Sequence, residues 1–352
     1  MTASEEEIER AADLVAHGGL VAFPTETVYG LGADASDPVA VARIFAVKGR
    51  PVDHPLIVHL ADAAALDQWA SAVPTEARLL ADAFWPGPIT LLLARGPAAL
   101  DVVTGGRATV GLRVPDHPVG RALLRAFAAR RGGRPAGIAA PSANRFGRVS
   151  PTTAAHVVAD LGDDVDAVLD GGPSLIGVES TIVDCFGDEP RVLRLGGVSV
   201  ERLGDVLGFV PTVADREDRA SAEGPPVIGT TANPAPGGAR APGMLDAHYA
   251  PKAQVEVVDD APTAARRAAE LVDGGLRVAV LAPTVIDGLS PDAMELEPAG
   301  EADDFARVLY DRLRQVDRLR ADVVVVVAPP AGGLGDAVRD RLGRAAAAHP
   351  PR

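Results

Sequence analysis

At 352 residues the chain exceeds the usual size of one domain, and a hydrophobic fraction of 47% is enough to build two cores. The formal net charge of −14 argues against a protein that coats nucleic acid nonspecifically, because phosphate binding draws on excess Lys and Arg. Cys185 is the single cysteine, which excludes an internal disulfide framework and a cysteine-rich zinc site and leads us to expect a reducing cytoplasm.

Taken in chain order, Ser4 and Glu7 form a capping box for a helix running to about His17, where Gly18 and Gly19 stop it. LVAF (20–23) reads as a buried strand. A helix is expected over 38–47, a strand near 56–60, helices near 62–70 and 74–84, and strands at 89–94 and 109–114. A helix near 117–131, a strand at 137–140, a helix near 152–160 and strands near 166–169, 180–184 and 191–194 follow. Several neighbouring strands lack a helix long enough for a parallel crossover, so the fold class is α/β with a mixed sheet. Between Ser221 and Gly243, ten of 23 residues are Pro or Gly, which no regular element survives. Beyond it, AQVEVVDD, a helix near 261–273, RVAVLAP, a helix near 302–319, DVVVVVAPP and a helix near 334–347 alternate strand and helix as in a small Rossmann-like parallel α/β domain. The expected organisation is therefore a first domain over 1–211, a Pro/Gly-rich linker over 212–251 and a C-terminal domain over 252–352. No window approaches the ~20 apolar residues of a membrane span.

Three stretches could carry chemistry. FPTETVYGLGADA (23–35) follows a strand with hydroxyls, the carboxylate of Glu26 and glycines 30 and 32; it reads either as a small-ligand pocket over a glycine turn or as threonines solvating their own backbone. KGRPVDHPLIVH (48–59) places Lys48 and Arg50 in a loop after a helix stopped by Pro51. Two such charges suit a polyphosphate that is passing negative charge to a leaving group, or else they complement a helix dipole. His59 closes an apolar strand as either a core or a ligand-facing imidazole. AAPSANRFGRVSPT (139–152) offers Ser142, Asn144 and Ser150 ahead of a helix start, an arrangement fit to cradle an anion or nucleotide. It is not a G-x-S-x-G elbow, so Ser142 is read as a ligand rather than a nucleophile. From Arg107 to Arg148 nine arginines face the single acid Asp116, a local exception to the acidic composition.

The ordered set PTETVYGLG (24–32), KGRP (48–51), HPLIVH (54–59), PGPIT (86–90), GLRVP (111–115), PSAN (141–144), SPT (150–152), GVESTIVD (177–184), PGM (242–244) and HYAPK (248–252) resembles the threonylcarbamoyl-AMP synthases, the YrdC-like family, in their long two-domain form. The resemblance covers nearly the whole chain. It implies a YrdC-like twisted mixed-sheet catalytic domain and a nucleotidyltransferase reaction in which L-threonine, bicarbonate or CO2, and ATP give threonylcarbamoyl-adenylate and pyrophosphate. The product would feed threonylcarbamoyladenosine formation at position 37 of ANN-decoding tRNA through downstream transfer proteins, in the cytoplasm, with at most weak direct tRNA binding.

Carried over position by position, the resemblance implies threonine contacts from Thr27, His59, Arg113, Ala140 and Ser180. It implies ATP contacts from Lys48, Arg50, His54, Thr109, Ser142, Asn144, Ser150 and Arg194, with Tyr249 closing over the nucleotide and Lys48 and Arg50 as the catalytic pair. ATP is then a substrate, Mg2+ rides on its phosphates, and no protein metal site is expected. The sequence departs from the family pattern at His54, where Asn is usual, at Arg145, Phe146 and Arg148, at Leu195, and at Leu245, Asp246 and Ala247. Two alternatives are a double-stranded RNA binding module using the arginine stretch, and a carbamoyl transfer like that of hydrogenase maturation. The second lacks the acylphosphatase and zinc-finger regions it would need.

Overall fold

The structure is a computed structural model that describes residues 3–214 and 249–348. Most of the expected 212–251 linker therefore lies outside the described residues. The chain divides into two compact units. The first takes the described residues of Met1–Phe146, Pro151–Ser174 and Glu179–Met244, and the second those of Gly147–Ser150, Leu175–Val178 and Leu245–Arg352.

The first unit runs α1 (Glu5–Ala16), β1 (Val21–Phe23), β2 (Gly30–Asp34), α2 (Pro38–Lys48), β3 (Ile57–His59), α3 (Leu66–Trp69), β4 (Ala70–Ala72), α4 (Thr75–Phe84), β5 (Ile89–Arg95), α5 (Asp101–Thr104), β6 (Thr109–Arg113), α6 (Pro118–Arg130), β7 (Ile138–Ala139), α7 (Ala154–Leu161), β8 (Ala167–Val168), β9 (Thr181–Asp184), β10 (Arg191–Arg194), α8 (Val200–Leu207) and β11 (Thr212–Val213). The α1 start is the expected capping box: Ser4 N–H donates to Glu7 Oε2 at 2.7 Å, and Glu7 N–H to Ser4 Oγ at 3.3 Å. Asp37 caps α2 ahead of Pro38, and Gly49 ends it in the left-handed region at φ 65°. Lys48 is therefore the last residue of a helix, not a loop residue as expected, because the chain turns only at Gly49. Arg50 does lie in the loop.

The strands form one mixed sheet in the order β11-β10-β9-β5-β6-β3-β7-β2-β1-β8, with β4 paired to β5. Expectation failed at 30–34, which is strand β2 rather than a glycine turn. It pairs antiparallel with β1, Gly32 opposite Val21. A Cβ on Gly32 would lie 2.6 Å from Ile138 Cγ2 and 2.8 Å from Phe23 Cε1, so glycine is needed here for close packing rather than for turning. The short α5, α8, β4 and β11 were not foreseen. Of these, α8 is marked by Ser199 as N-cap and Gly208 at its end.

The second unit alternates β12 (Gln254–Val258), α9 (Ala261–Asp273), β13 (Val278–Leu281), β14 (Met294–Glu295), α10 (Ala302–Arg318), β15 (Val323–Val327) and α11 (Leu334–Ala347). Its four strands are all parallel in the order β12-β15-β13-β14. The unbroken valine run of β15 is buried throughout, as an inner parallel strand covered on both faces requires. Among the described residues no helix is long and apolar enough to cross a membrane.

Candidate active site

The centre of the first unit's sheet assembles one cluster. β3 pairs parallel with β6 so that His59 lies opposite Arg113, and pairs antiparallel with β7 so that His59 also faces Ile138. Ala140, just past β7, is fastened to β3 by its N–H on the Ile57 carbonyl at 2.9 Å. The Arg113 guanidinium is buried and almost wholly directed by protein. Nη2 donates to Glu26 Oε1 at 2.7 Å and to Thr27 Oγ1 at 2.9 Å, and Nε donates to the Gly87 carbonyl at 3.3 Å. The other Glu26 oxygen accepts the Asp116 N–H at 3.0 Å. Thr25 O–H donates to the Val28 carbonyl at 2.6 Å, so at the 2.8 Å contact between hydroxyls Thr27 is the donor and Thr25 the acceptor. PTET is thus a hydrogen-bonded scaffold around an arginine from another strand.

Ser180, just before β9, is held by two side chains. Arg194 donates through Nε and Nη2 to the Ser180 carbonyl at 3.1 and 2.9 Å and through Nη2 to its Oγ at 3.0 Å, while Thr90 Oγ1 lies 2.8 Å from the same Oγ. The register places Thr90 opposite Ile182 on the parallel β5–β9 pair. Two residues assigned to different ligands by resemblance, Ser180 and Arg194, therefore touch.

The basic cluster surrounds the end of α2. Lys48 is only 3% exposed. Its Nζ donates to the Ser142 and Asn144 carbonyls at 2.5 and 2.6 Å. Burial pulls the Lys48 amine well below the ordinary lysine value, the neighbouring Arg50 adds to this, and Asp160 opposes it. Phe146 N–H returns a bond to the Lys48 carbonyl at 2.8 Å. The Phe146 ring carries the Arg50 guanidinium at 5.9 Å and meets the His54 ring edge-on at 5.5 Å. Arg50 Nη2 also donates to the Pro55 carbonyl at 3.1 Å. Asn144 is buried and donates to the Arg145 carbonyl at 2.8 Å, and Thr109 is buried at the start of β6. Phe146, read from sequence only as a departure, is thus the ring against which Arg50 and His54 are set.

His59 is buried, packed edge-on against Phe23 at 5.9 Å. Burial first, then the Arg113 charge, push its pKa down to about 3 from an ordinary value of 6.5. The unfolded chain consequently takes up a proton that the folded chain refuses between those values, so stability is complete above pH ~6.5 and drains as pH falls toward ~3. Burial depresses His117 in the same direction. We expect urea midpoints to decline from pH 7 to pH 4, and His59→Gln to flatten that decline; an unchanged slope in the variant would contradict this placement of His59.

Ser150 and Tyr249 belong to the second unit. There Arg314 donates to the Val149 and Ser150 carbonyls, and Tyr249, buried at φ 63°, stacks on Tyr310 at 5.8 Å with the Arg341 guanidinium 5.1 Å from its ring. Leu245, Asp246 and Ala247 lie outside the described residues. The arginine stretch does not present a continuous charge: Arg113, Arg121, Arg130, Arg131 and Arg145 are ion-paired to Glu26, Asp116, Glu9 and Asp13, Asp34 and Asp164. Thr90 is not among the residues the sequence places in the site, and Glu26, named there only as a carboxylate of the 23–35 stretch, is given no partner. Both lie inside quoted motifs, but their function as partners of Arg113 and Ser180 depends on strand register.

Residues 13–196 match the family described as "Telomere recombination", and residues 198–347 match "Threonylcarbamoyl-AMP synthase, C-terminal domain". The threonylcarbamoyl-AMP synthase of Pyrococcus abyssi is 41% identical over 97% of this chain and 94% of its own length, and that of Bacillus subtilis 39% over 98% and 94%. The crystal structure of P. abyssi Sua5 complexed with L-threonine superposes with a TM-score of 0.86 at 38% identity, covering 98% of this chain and 95% of that one.

Proposed function

The chain belongs to the threonylcarbamoyl-AMP synthase family, and from that premise we propose that it joins L-threonine, bicarbonate or CO2, and ATP into threonylcarbamoyl-adenylate with release of pyrophosphate. The threonine amine, once deprotonated, attacks CO2; its nitrogen forms the N–C bond, one C=O bond of CO2 becomes the carbamate oxyanion, and the N–H proton is released to water. A carbamate oxygen then attacks the α-phosphorus of ATP, and the bond from that phosphorus to the bridging oxygen of pyrophosphate breaks. No covalent enzyme intermediate is required.

One observation carries this reading: β3 and β7 join two chemically different clusters within the first unit. On one side is a carboxylate-seeking arginine in a bed of threonines, where Arg113, Thr27, His59, Ala140 and Ser180 would receive threonine. On the other is the buried pair Lys48 and Arg50 with Ser142, Asn144, His54 and Thr109, which would receive the nucleotide together with Arg194. Negative charge grows on departing pyrophosphate, and fixed cations lower that barrier without reorganising. The donors around Lys48 are cationic, hydroxylic and amide groups. They suit Mg2+ carried in on the phosphates, where it would neutralise charge on the leaving group. The product is an activated threonylcarbamoyl group, fit to be passed by downstream proteins to adenosine 37 of ANN-decoding tRNA in the cytoplasm.

The test is incubation of the protein with ATP, L-threonine and labelled bicarbonate. Threonine-dependent pyrophosphate release with label in an adenylate is expected. ATP left intact, with salt-sensitive double-stranded RNA retention instead, would favour the RNA-binding reading.

A further inference from the structure

We infer that Glu26 is a positioning residue for substrate selection: it aims the Arg113 guanidinium so that Nη1 is presented to the α-carboxylate of the amino-acid substrate. This rests on the reading above that the Arg113 cluster receives L-threonine.

Arg113 has five N–H groups in a rigid fork. Glu26 Oε1 and Thr27 Oγ1 take both hydrogens of Nη2, at 2.7 and 2.9 Å, and the Gly87 carbonyl takes Nε–H at 3.3 Å. Among the described residues nothing takes the two hydrogens of Nη1. The arginine is 4% exposed and its side chain is buried with that of Glu26, so the guanidinium has no freedom to look elsewhere. Glu26 is itself fixed from behind, because Oε2 accepts the Asp116 N–H at 3.0 Å. A carboxylate pinned to backbone on one oxygen and to Nη2 on the other sets both the position and the rotation of the fork.

Charge alone would argue the opposite. Glu26 cancels the positive charge of Arg113 and so should weaken attraction for an anion. Orientation opposes this: without Glu26 a buried cation must find another acceptor, and turning Nη1 toward it removes the edge offered to the substrate. The geometry favours orientation, since three of the five donors are already fixed by the protein on the side away from Nη1. Thr27 then contributes twice, holding Nη2 and keeping one lone pair of its hydroxyl for the substrate.

Glu26→Ala and Glu26→Gln are compared with the wild type by calorimetric titration with L-threonine, with L-threoninamide, which lacks the carboxylate charge, and with ATP. In the wild type threonine is expected to bind more tightly than the amide. Glu26→Ala should shrink that preference by about tenfold or more, the size of one charge-assisted contact, with ATP affinity within about twofold. Glu26→Gln, which keeps one acceptor oxygen, should fall between, and its amide preference also decides the matter if the alanine variant does not fold. A purely structural role would weaken threonine, threoninamide and ATP together and would overturn the inference, as would an unchanged preference or tighter threonine binding by Glu26→Ala. Failure of the wild-type protein to bind threonine at all would instead overturn the reading on which the inference rests.

Discussion

Lys48→Met is expected to slow adenylate formation by about 10^2- to 10^3-fold, the typical effect of removing one preorganised electrostatic donor, while threonine affinity changes by no more than about twofold. The reason lies in where the amine sits. Nζ spends two of its three hydrogens on the Ser142 and Asn144 carbonyls, which leaves one for a ligand. Burial and Arg50 hold its pKa well below that of an ordinary lysine, and a triphosphate brought alongside would reverse that pull by favouring the charged form. An anion brought alongside would therefore offset the pull that burial and Arg50 exert on the Lys48 amine. The sign follows for stability: a lysine whose folded pKa is depressed contributes stability that is lost as pH falls below the unfolded value of about 10.5 toward the folded one. Lys48→Met should accordingly cost little stability at pH 7, because removal of a desolvated charge offsets the loss of two hydrogen bonds. Pyrophosphate release and a thermal melt of the same sample separate the two effects. Full activity in a well-folded variant would remove Lys48 from the chemistry.

How far the sequence reveals this arrangement depends on whether a feature is local. The capping box at Ser4 and Glu7, the Asp37 cap with Pro38, and the valine run of β15 are written in neighbouring residues, and the elements appear where expected. Lys48 was misplaced by one step because Pro51 is a conspicuous breaker, whereas Gly49, two residues earlier, already adopts the left-handed turn. β2 was missed because two glycines in five residues look like a turn; only the approach of Phe23 and Ile138 shows why a strand needs them. The site divides in the same way. Motif spelling points to Lys48, Arg50, Ser142 and Arg113, but Glu26 against Arg113 is a contact across 87 positions and Ser180 against Thr90 one across 90. Such pairs arise from strand order, which no single segment records.

Arg113→Met should lower the unfolding free energy by about 3–5 kcal/mol, the usual cost of stripping one partner from a buried ion pair, and should remove measurable threonine binding. Glu26, 4% exposed, would keep the Asp116 N–H as its remaining hydrogen-bond partner among the described residues, a carboxylate held in low dielectric without its counter-charge. The two losses have different causes and can be pulled apart. Adding Glu26→Leu to Arg113→Met removes the stranded charge and substitutes apolar contact. Replacing both halves of a buried pair is often neutral or stabilising, so the double variant should recover most of the urea midpoint yet bind no threonine. If it regained threonine binding, Arg113 would be acting only through the fold. If it stayed as unstable as the single variant, the penalty would come from lost packing around the methylenes rather than from Glu26. The expected result, stability restored and binding still absent, would assign the ion pair's net stabilisation a small value and the loss of threonine binding to the missing guanidinium itself rather than to the fold.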